Sequence, residues 1–183
     1  MTAYPNQLSN RNFLSPTGFK LILDKIPGVE FFCQASNIPG LSSTTPVMPT
    51  PLKDVYLPGD VLDYEDLSLR FIIDEDLINY TQIQNWLVGL TFPDRITQYN
   101  EYFIKTGKYA DNVLNETSDG TLIVLTSNYN PGPKIKYKGL FPTRLEALRF
   151  DVDATDIKYF TAEVSFKYLI YEVYGKDGKK LTI

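Results

Sequence analysis

Few residues in this sequence are suited to acid–base or nucleophilic chemistry. No histidine occurs among its 183 residues, and histidine is the commonest general base near neutral pH and the commonest metal ligand. The one cysteine, Cys33, lies in the apolar run FFCQAS, and a thiol acts as a nucleophile only when a base activates it. The composition therefore argues against triads and zinc sites, excludes an intramolecular disulfide and predicts a buried structural thiol at Cys33.

Carboxylates are the remaining candidates for a metal or acid–base site. Asp151, Asp153 and Asp156 are spaced somewhat like a calcium-binding run, but the segment lacks the central glycine and terminal glutamate of the helix–loop–helix motif. A solvated connection between strands is the better interpretation. The acidic run 74–76 is explained by favourable charges at the start of a helix. Because the glycines are scattered singly, no phosphate-binding loop is present and we predict no cofactor.

The charge balance indicates which partners the chain avoids. It has 18 basic and 22 acidic side chains and a net charge of −4, which argues against a protein that grips nucleic-acid phosphates. The N-terminus lacks the basic and apolar regions of a signal peptide. No run reaches the roughly 18 to 20 apolar residues of a membrane-spanning helix. We therefore expect a protein made in the cytosol that does not insert into a membrane.

The chain length fits one domain with short additions at both ends. We predict an N-terminal arm over 1–17, a β domain over 18–175 and a C-terminal tail over 176–183. One helix is predicted to begin near 74–76 and to stop near Gly89. Its apolar stripe consists of Leu77, Tyr80, Ile83 and Leu87, flanked by Trp86. The segment 91–119 has no sustained periodicity and is predicted to be a loop.

Alternating apolar and polar residues predict strands through most of the β domain. The strand from Phe19 is followed by Pro27-Gly28, so VEFFCQASNI is interpreted as its returning partner in a hairpin. Five prolines between 39 and 58 predict a long loop or an irregular extended hairpin. Two further strands, TLIVLTSNY and KIKYKGLF, flank a proline- and glycine-rich turn.

The clearest alternation predicts one long strand over 157–173. This exceeds the usual five or six residues of a strand, so we expect part of it to pair with another subunit. Its apolar side is the candidate assembly interface: Phe160, Val164, Phe166, Tyr168 and Ile170.

Three motifs, in this order and spacing, resemble the tail tube proteins of contractile-tailed bacteriophages. The first is FFCQASNIPG, similar to the hairpin exit of that family, and the second is the helix in DEDLINYTQIQNWLVG. The third is the corner Gly139, Phe141, Pro142 and Thr143, followed by a Leu-Arg-Phe-Asp strand start and the long alternating strand. The resemblance extends from about Phe19 to Glu172.

The resemblance implies a mainly β subunit, an antiparallel β-sandwich or split barrel with one packed α-helix. It implies hexameric rings stacked into a tube, with tail sheath and baseplate proteins as partners and double-stranded DNA passing through without specific binding. The protein would then be a component of the virion tail, assembled in the host cytoplasm.

Other roles use the same fold or the same composition. A baseplate tube initiator and a tail terminator share the tube fold, and a ligand-binding β domain would need convergent aromatic residues in one concavity. An enzyme would need paired ionisable groups, which have no specific spacing here. For a tube, we expect a net negative lumen with Glu163 as a candidate wall residue, since a basic wall would bind the DNA that it passes.

Overall fold

The structure, a computed structural model, describes residues 18–26, 33–91, 93–95, 97–98, 116–126, 128–148, 150 and 159–182. The predicted arm over 1–17, the turn at Pro27-Gly28, the acidic run 151–156 and most of the loop 91–119 lie outside these residues. Within them the chain is mainly antiparallel β with a single helix, which confirms the predicted fold class. The elements are β1 (Phe19–Leu23), β2 (Cys33–Ser36), β3 (Leu41–Ser43), β4 (Val47–Met48), β5 (Val55–Tyr56), β6 (Leu62–Tyr64), β7 (Leu67–Ile72), α1 (Ile78–Thr91), β8 (Ser118–Leu125), β9 (Pro131–Leu145), β10 (Thr161–Lys167) and β11 (Ile170–Tyr174).

Strand β9 joins two sheets. The strand order is β1-β8-β9-β10-β7-β2, with β11 also paired to β9. As far as Leu140, β9 pairs with β8 and β11, and from Phe141 onward it pairs with β10. We call β1, β8, β11 and the first part of β9 the first sheet. The last part of β9, with β10, β7 and β2, is the second sheet.

The predicted hairpin between the first two strands is wrong. Strand β1 pairs with β8, and β2 pairs with β7, so the two strands lie at opposite ends of the strand order. Apolar alternation determines which face of a strand is buried, but it carries no information about the partner strand.

The predicted long strand is interrupted at Tyr168 and Leu169. Before the break the even-numbered residues of β10 are buried, whereas after it Tyr171 and Val173 of β11 pack against the core. The single strand over 157–173 is therefore wrong, because the alternation changes phase where the chain leaves the second sheet for the first. The longest described strand is instead β9.

The cause of the interruption lies opposite, at Gly139. This glycine has a φ of +65°, and a Cβ added to it would lie 2.7 Å from Cδ1 of Leu169. The N–H of Leu169 also donates to the carbonyl of Lys138 at 2.9 Å. A residue without a side chain allows both the left-handed backbone and the close approach of Leu169.

The helix begins and ends later than predicted. It covers Ile78–Thr91, with no acidic residue in its first turn, and Gly89 is buried within it. Asn79 supplies the polar contacts at this end: its side-chain amide donates to the carbonyl of Ile72 at 2.8 Å. Leu77 has a φ of +56° and precedes the helix, so the acidic run 74–76 belongs to the connection. The tertiary contacts of Asn79 outweigh the charge preference at this boundary.

The core lies between the sheets and under the helix. Trp86 is fully buried beside Phe166, with ring centroids 6.1 Å apart, and its indole N–H donates to the carbonyl of Glu116 at 2.9 Å. A cluster of tyrosine rings packs β6 against the first sheet, with centroids 5.2 to 6.1 Å apart: Tyr64, Tyr137, Tyr168 and Tyr171. These edge-to-face and tilted ring contacts hold the base of the proline-rich segment on the two-sheet body.

The proline-rich segment forms an extended hairpin, the second of the two predicted alternatives. Strand β3 pairs with β6, and β4 pairs with β5, in two small sheets separate from the main strand order. We call residues 41–64 the extension. Gly59 is required here, since a Cβ on it would lie 1.8 Å from the carbonyl oxygen of Thr44.

Candidate assembly surfaces

The second sheet has two open edges. At one end, β2 pairs only with β7, and at the other the last part of β9 pairs only with β10, within the described residues. Pairing between β8 and β9 stops at Leu140, so residues 141–145 present backbone groups on the side away from β10. An open edge is a template for pairing with another chain.

The predicted interface residues divide into a core set and an exposed pair. Val164 and Phe166 are fully buried and Tyr168 is almost so, within the core of the chain itself. These three residues can affect assembly only by maintaining the fold. Phe160 and Ile170 are 43% and 42% exposed, so a direct contact with a neighbour stays a prediction for these two residues.

The predicted corner motif lies where β9 enters the second sheet. Pro142 is buried opposite Phe166 in the β9–β10 register, and Phe141 is half-buried opposite Lys167. The hydroxyl of Thr143 donates to the carbonyl of Ser165 at 3.1 Å. With Gly139, these residues turn β9 and tie its last part to β10, so their described contacts are structural.

Charges on the outer face of the second sheet occur in pairs. Glu163 lies opposite Arg70 in the register, with its carboxylate 3.2 Å from the guanidinium. At the end of the same strand, the ammonium of Lys167 lies 2.8 Å from Asp66 and its pKa is raised by that hydrogen bond. Such exposed pairs contribute little to stability, because solvent screens their charges. Glu163 is thus a surface residue whose charge is offset by Arg70.

The outer face of the first sheet is basic. Lys134, Lys136 and Lys138 occupy alternate positions of β9 with exposed side chains, and we call these three the lysine row. The carboxylate of Glu172 lies 3.1 Å from the ammonium of Lys138 and 3.0 Å from that of Lys180. Hydrogen bonds from Lys180, Tyr174 and Lys138 lower the pKa of Glu172 to about 2.

Cys33 has the properties of a packing residue. It is half-buried against the core, and its thiol lies 3.7 Å from the carbonyl of Ala35. Burial raises the pKa of the thiol to about 11, so the protonated, weakly nucleophilic form dominates near neutral pH. The thiol is only partly buried, in contrast to the prediction of a buried one.

Two kinds of site can be checked against the described part of the chain. There, histidine, cysteine, aspartate and glutamate side chains form no group of three or more that could hold a metal ion. A search of the same residues finds no helix with the length and apolar character that crossing a membrane requires.

The extension is a surface that the sequence interpretation missed. Most of its apolar side chains are exposed, among them Val47, Met48, Leu52, Val55, Tyr56, Val61 and Leu62. Leu52, near its tip, is 99% exposed. Exposed apolar patches of this kind mark interaction sites. The available signal was the presence of apolar residues in a proline-rich segment that would otherwise be polar.

Solved structures of contractile injection systems share this arrangement of strands. A protein of the anti-feeding prophage baseplate aligns over 92% of this chain and 98% of its own, with a TM-score of 0.58 and 10% identity. A protein of the sheath–tube complex of an extracellular contractile injection system, PVC, aligns over 95% and 99%, with a TM-score of 0.56 and 14% identity. The chain has a tail-tube fold. A protein of the anti-feeding prophage tube-terminating cap aligns over 96% and 99%, with a TM-score of 0.57 and 10% identity.

The tail-tube fold confirms the resemblance seen in the sequence motifs. No protein-family model matches the sequence, and no curated protein sequence matches it. At 10–14% identity the likeness is one of fold.

Proposed function

We propose that this protein is a tail tube subunit, whose copies form closed rings that stack around a lumen. The observation that carries the proposal is the pair of open edges on the second sheet, at β2 and at the last part of β9. Two different edges on one subunit can form a head-to-tail contact, and such contacts close into a ring when the rotation per subunit permits. Each subunit then extends a continuous barrel.

Six subunits per ring is the stoichiometry that we propose. The baseplate structure that shares the fold is described as six-fold symmetrised, which supports a hexamer here. Closing the sheet also removes its edges, which are otherwise prone to aggregation. Tail sheath and baseplate proteins are the proposed partners, the virion tail is the proposed location and the host cytoplasm is the proposed place of assembly. We assign the protein no catalytic role.

A tube initiator or a tail terminator is the second candidate. Structures that share the fold include both baseplate and tube-terminating cap proteins. A tube subunit must contact its own copies on both faces of the ring, whereas an initiator or terminator has one face for a different partner. Electron microscopy of the purified protein mixed with a baseplate seed separates these roles. A tube subunit forms long tubes on the seed, whereas a terminator forms single rings.

Ring closure is tested at the edge of β2. The N–H of Asn37 donates to the carbonyl of Ser68 on β7, so by strand alternation the N–H of Ser36 points to the open edge. Ser36→Pro removes this donor, and we expect rings to be lost while the monomer stays folded. Ser36→Ala keeps the donor and should form rings. Equal ring formation by both variants would contradict closure through β2.

The lumen is proposed to pass double-stranded DNA without binding it. Glu163 and its neighbours on the outer face of the second sheet are the proposed wall, where Glu163 is paired with Arg70 and Asp66 with Lys167. A balanced wall releases few counterions from DNA and so holds it weakly. A ring structure decides this point: an inner surface dominated by lysine and arginine would exclude the DNA-passage role and leave the tube architecture intact.

A further inference from the structure

The residues that lead into and form β11 have the composition of a strand that pairs readily with other chains. The run YLIYEVY over 168–174 consists of aromatic and aliphatic residues around one glutamate, with neither proline nor glycine. Segments of this length with high β-propensity and low net charge form intermolecular sheets when an edge is open. Strand β9 occupies one edge of β11, so the other edge needs a cover within the chain.

Residues 176–182, which we call the return segment, fold back along that other edge. The chain reverses at Gly178, which has a φ of +73° and donates its N–H to the carbonyl of Gly175 at 3.0 Å. Beyond the turn, the N–H of Leu181 donates to the carbonyl of Val173 at 2.7 Å. A backbone group on the side of β11 away from β9 is thereby paired within the chain.

The return segment is in register with β11. Tyr174 and Lys180 form an antiparallel bridge. The N–H of Gly175 donates to the carbonyl of Lys179 at 2.8 Å on one side of this bridge, and the bond to β11 just described lies on the other side. Tyr174 and Lys180 are therefore a non-hydrogen-bonded pair, the arrangement in which facing side chains lie closest.

One carboxylate clamps the return segment to the first sheet. Glu172 is only 8% exposed. Its carboxylate lies 3.0 Å from the ammonium of Lys180, accepts the hydroxyl of Tyr174 at 2.8 Å and lies 3.1 Å from the ammonium of Lys138. These charge-assisted contacts join the return segment, β11 and β9. Opening the segment removes one partner from a largely buried carboxylate, which is unfavourable.

The return segment is itself a poor template for a further strand. It is short, and Lys176, Lys179 and Lys180 are exposed. Short edges that carry lysine resist pairing with another chain, and charged residues beside an apolar strand oppose its aggregation. The segment thus replaces an aromatic and aliphatic edge with a basic one.

We propose that the return segment is a guard, which keeps the free edge of β11 from pairing with β11 of a second copy. Two released edges are self-complementary, because antiparallel pairing of identical strands about a two-fold axis gives an isologous contact. With the guard closed, copies meet through the second sheet instead of through β11. That consequence rests on the proposed function, whereas the guard itself does not.

The first experiment opens the guard with one charge change in the full chain. Lys180→Glu places a second carboxylate beside Glu172. We expect it to raise the fraction of species that the unchanged protein lacks, measured by sedimentation velocity without a seed, by about tenfold. Lys179→Glu is the matched control, since it makes the same charge change at the neighbouring exposed position, whose described contact is its backbone carbonyl. The control should sediment like the unchanged protein.

Opening is measured separately by hydrogen exchange at the N–H of Leu181. Fast exchange with unchanged sedimentation overturns the guard, and so does equal association of the control. If the N–H stays protected, Leu181→Pro removes the donor outright, and Leu181→Ala, which keeps it, becomes the control. Failure of the unchanged protein to form tubes on a seed overturns the proposed function and leaves the guard standing.

The second experiment closes and opens the guard in one chain. Tyr174→Cys with Lys180→Cys, in a Cys33→Ser background, places two thiols at the non-hydrogen-bonded pair, where Cα atoms about 4.5 Å apart suit a disulfide. The reduced chain lacks both contacts to Glu172 and should associate. The oxidised chain should sediment like its Cys33→Ser parent. Equal association in both states, or failure to form the disulfide within one copy, would overturn the inference.

Discussion

The two-sheet body and the extension use apolar residues in opposite ways. In the body, residues such as Phe166, Leu69 and Trp86 are fully buried, whereas in the extension Leu52 is almost fully exposed. Burial of a large apolar side chain contributes about 1.5–3 kcal/mol, so the body contains its own source of stability. The apolar groups of the extension gain that contribution only when another surface covers them. The body is thus a folding unit, whereas the extension contributes little to the stability of the monomer.

The largest effect is expected in the body from Phe166→Asp. Loss of the buried ring costs about 3–5 kcal/mol, and an unpaired buried carboxylate adds to that cost. Because total stabilities are about 5–15 kcal/mol, we expect this variant to be unfolded or nearly so. Circular dichroism with thermal melting measures it, and a cooperative transition near that of the unchanged protein would contradict the assigned core.

A smaller loss of stability is expected from Gly139→Ala. Positive φ at a residue with a side chain costs about 1–3 kcal/mol, and the added Cβ would also meet Leu169. Gly178→Ala is the matched control, since Gly178 has a φ of +73° with nothing within 4 Å of an added Cβ. Denaturant unfolding should show the greater loss for Gly139→Ala, and equal losses would contradict a role for Leu169 at this corner.

The acid dependence of body stability should respond to Glu172→Gln. Its folded pKa of about 2 lies below the ordinary value of 4.5, so the carboxylate stabilises the fold above that ordinary value and loses this contribution as pH falls toward 2. The variant should unfold at a lower temperature than the unchanged protein at pH 7, and the difference should shrink at about pH 2–3. A difference that is constant across pH would show that the carboxylate charge contributes nothing.

The smallest effect on unfolding is expected from Leu52→Ser in the extension. The side chain is almost fully exposed, so the melting temperature of the monomer should change by no more than about 1 °C. Seeded tube assembly should nevertheless weaken. Leu69→Ser, in the buried second sheet, is the contrasting variant and should destabilise the monomer. Unimpaired assembly by Leu52→Ser would remove this residue from the candidate assembly surfaces.

The sequence predicted which segments of the body form strands and a helix better than it predicted which strands pair with each other. Alternation identified β7, β8 and β10, and the helix around Ile83 and Trp86, because burial of one face imposes a period on the residues. It could not predict that β1 pairs with β8, or that Leu169 covers Gly139, since both depend on residues distant in sequence. The phase change after Tyr168 was hidden because Ile170 continues the apolar pattern while lying on the exposed side.

For the candidate surfaces, too, the sequence indicated individual residues but not the residues that they contact. The corner residues and Glu163 could be named from the sequence, but the partners Arg70 and Ser165 became visible only in the structure. The lysine row lies in the strand predicted from KIKYKGLF, and its three side chains are exposed on one face of β9. The apolar surface of the extension could not be predicted from the sequence. Side chains spread along a segment share a face only when the pairing of its hairpin strands is known.

The position of β10 has a consequence for the order of events during synthesis. This strand stands between β9 and β7 in the second sheet, yet it leaves the ribosome after both of them. Until residues 161–167 emerge, β7 and β2 cannot join β9, so the second sheet is incomplete. Contacts so distant in sequence also form slowly. A nascent chain therefore cannot present the two edges of the complete second sheet before residues 161–167 have emerged.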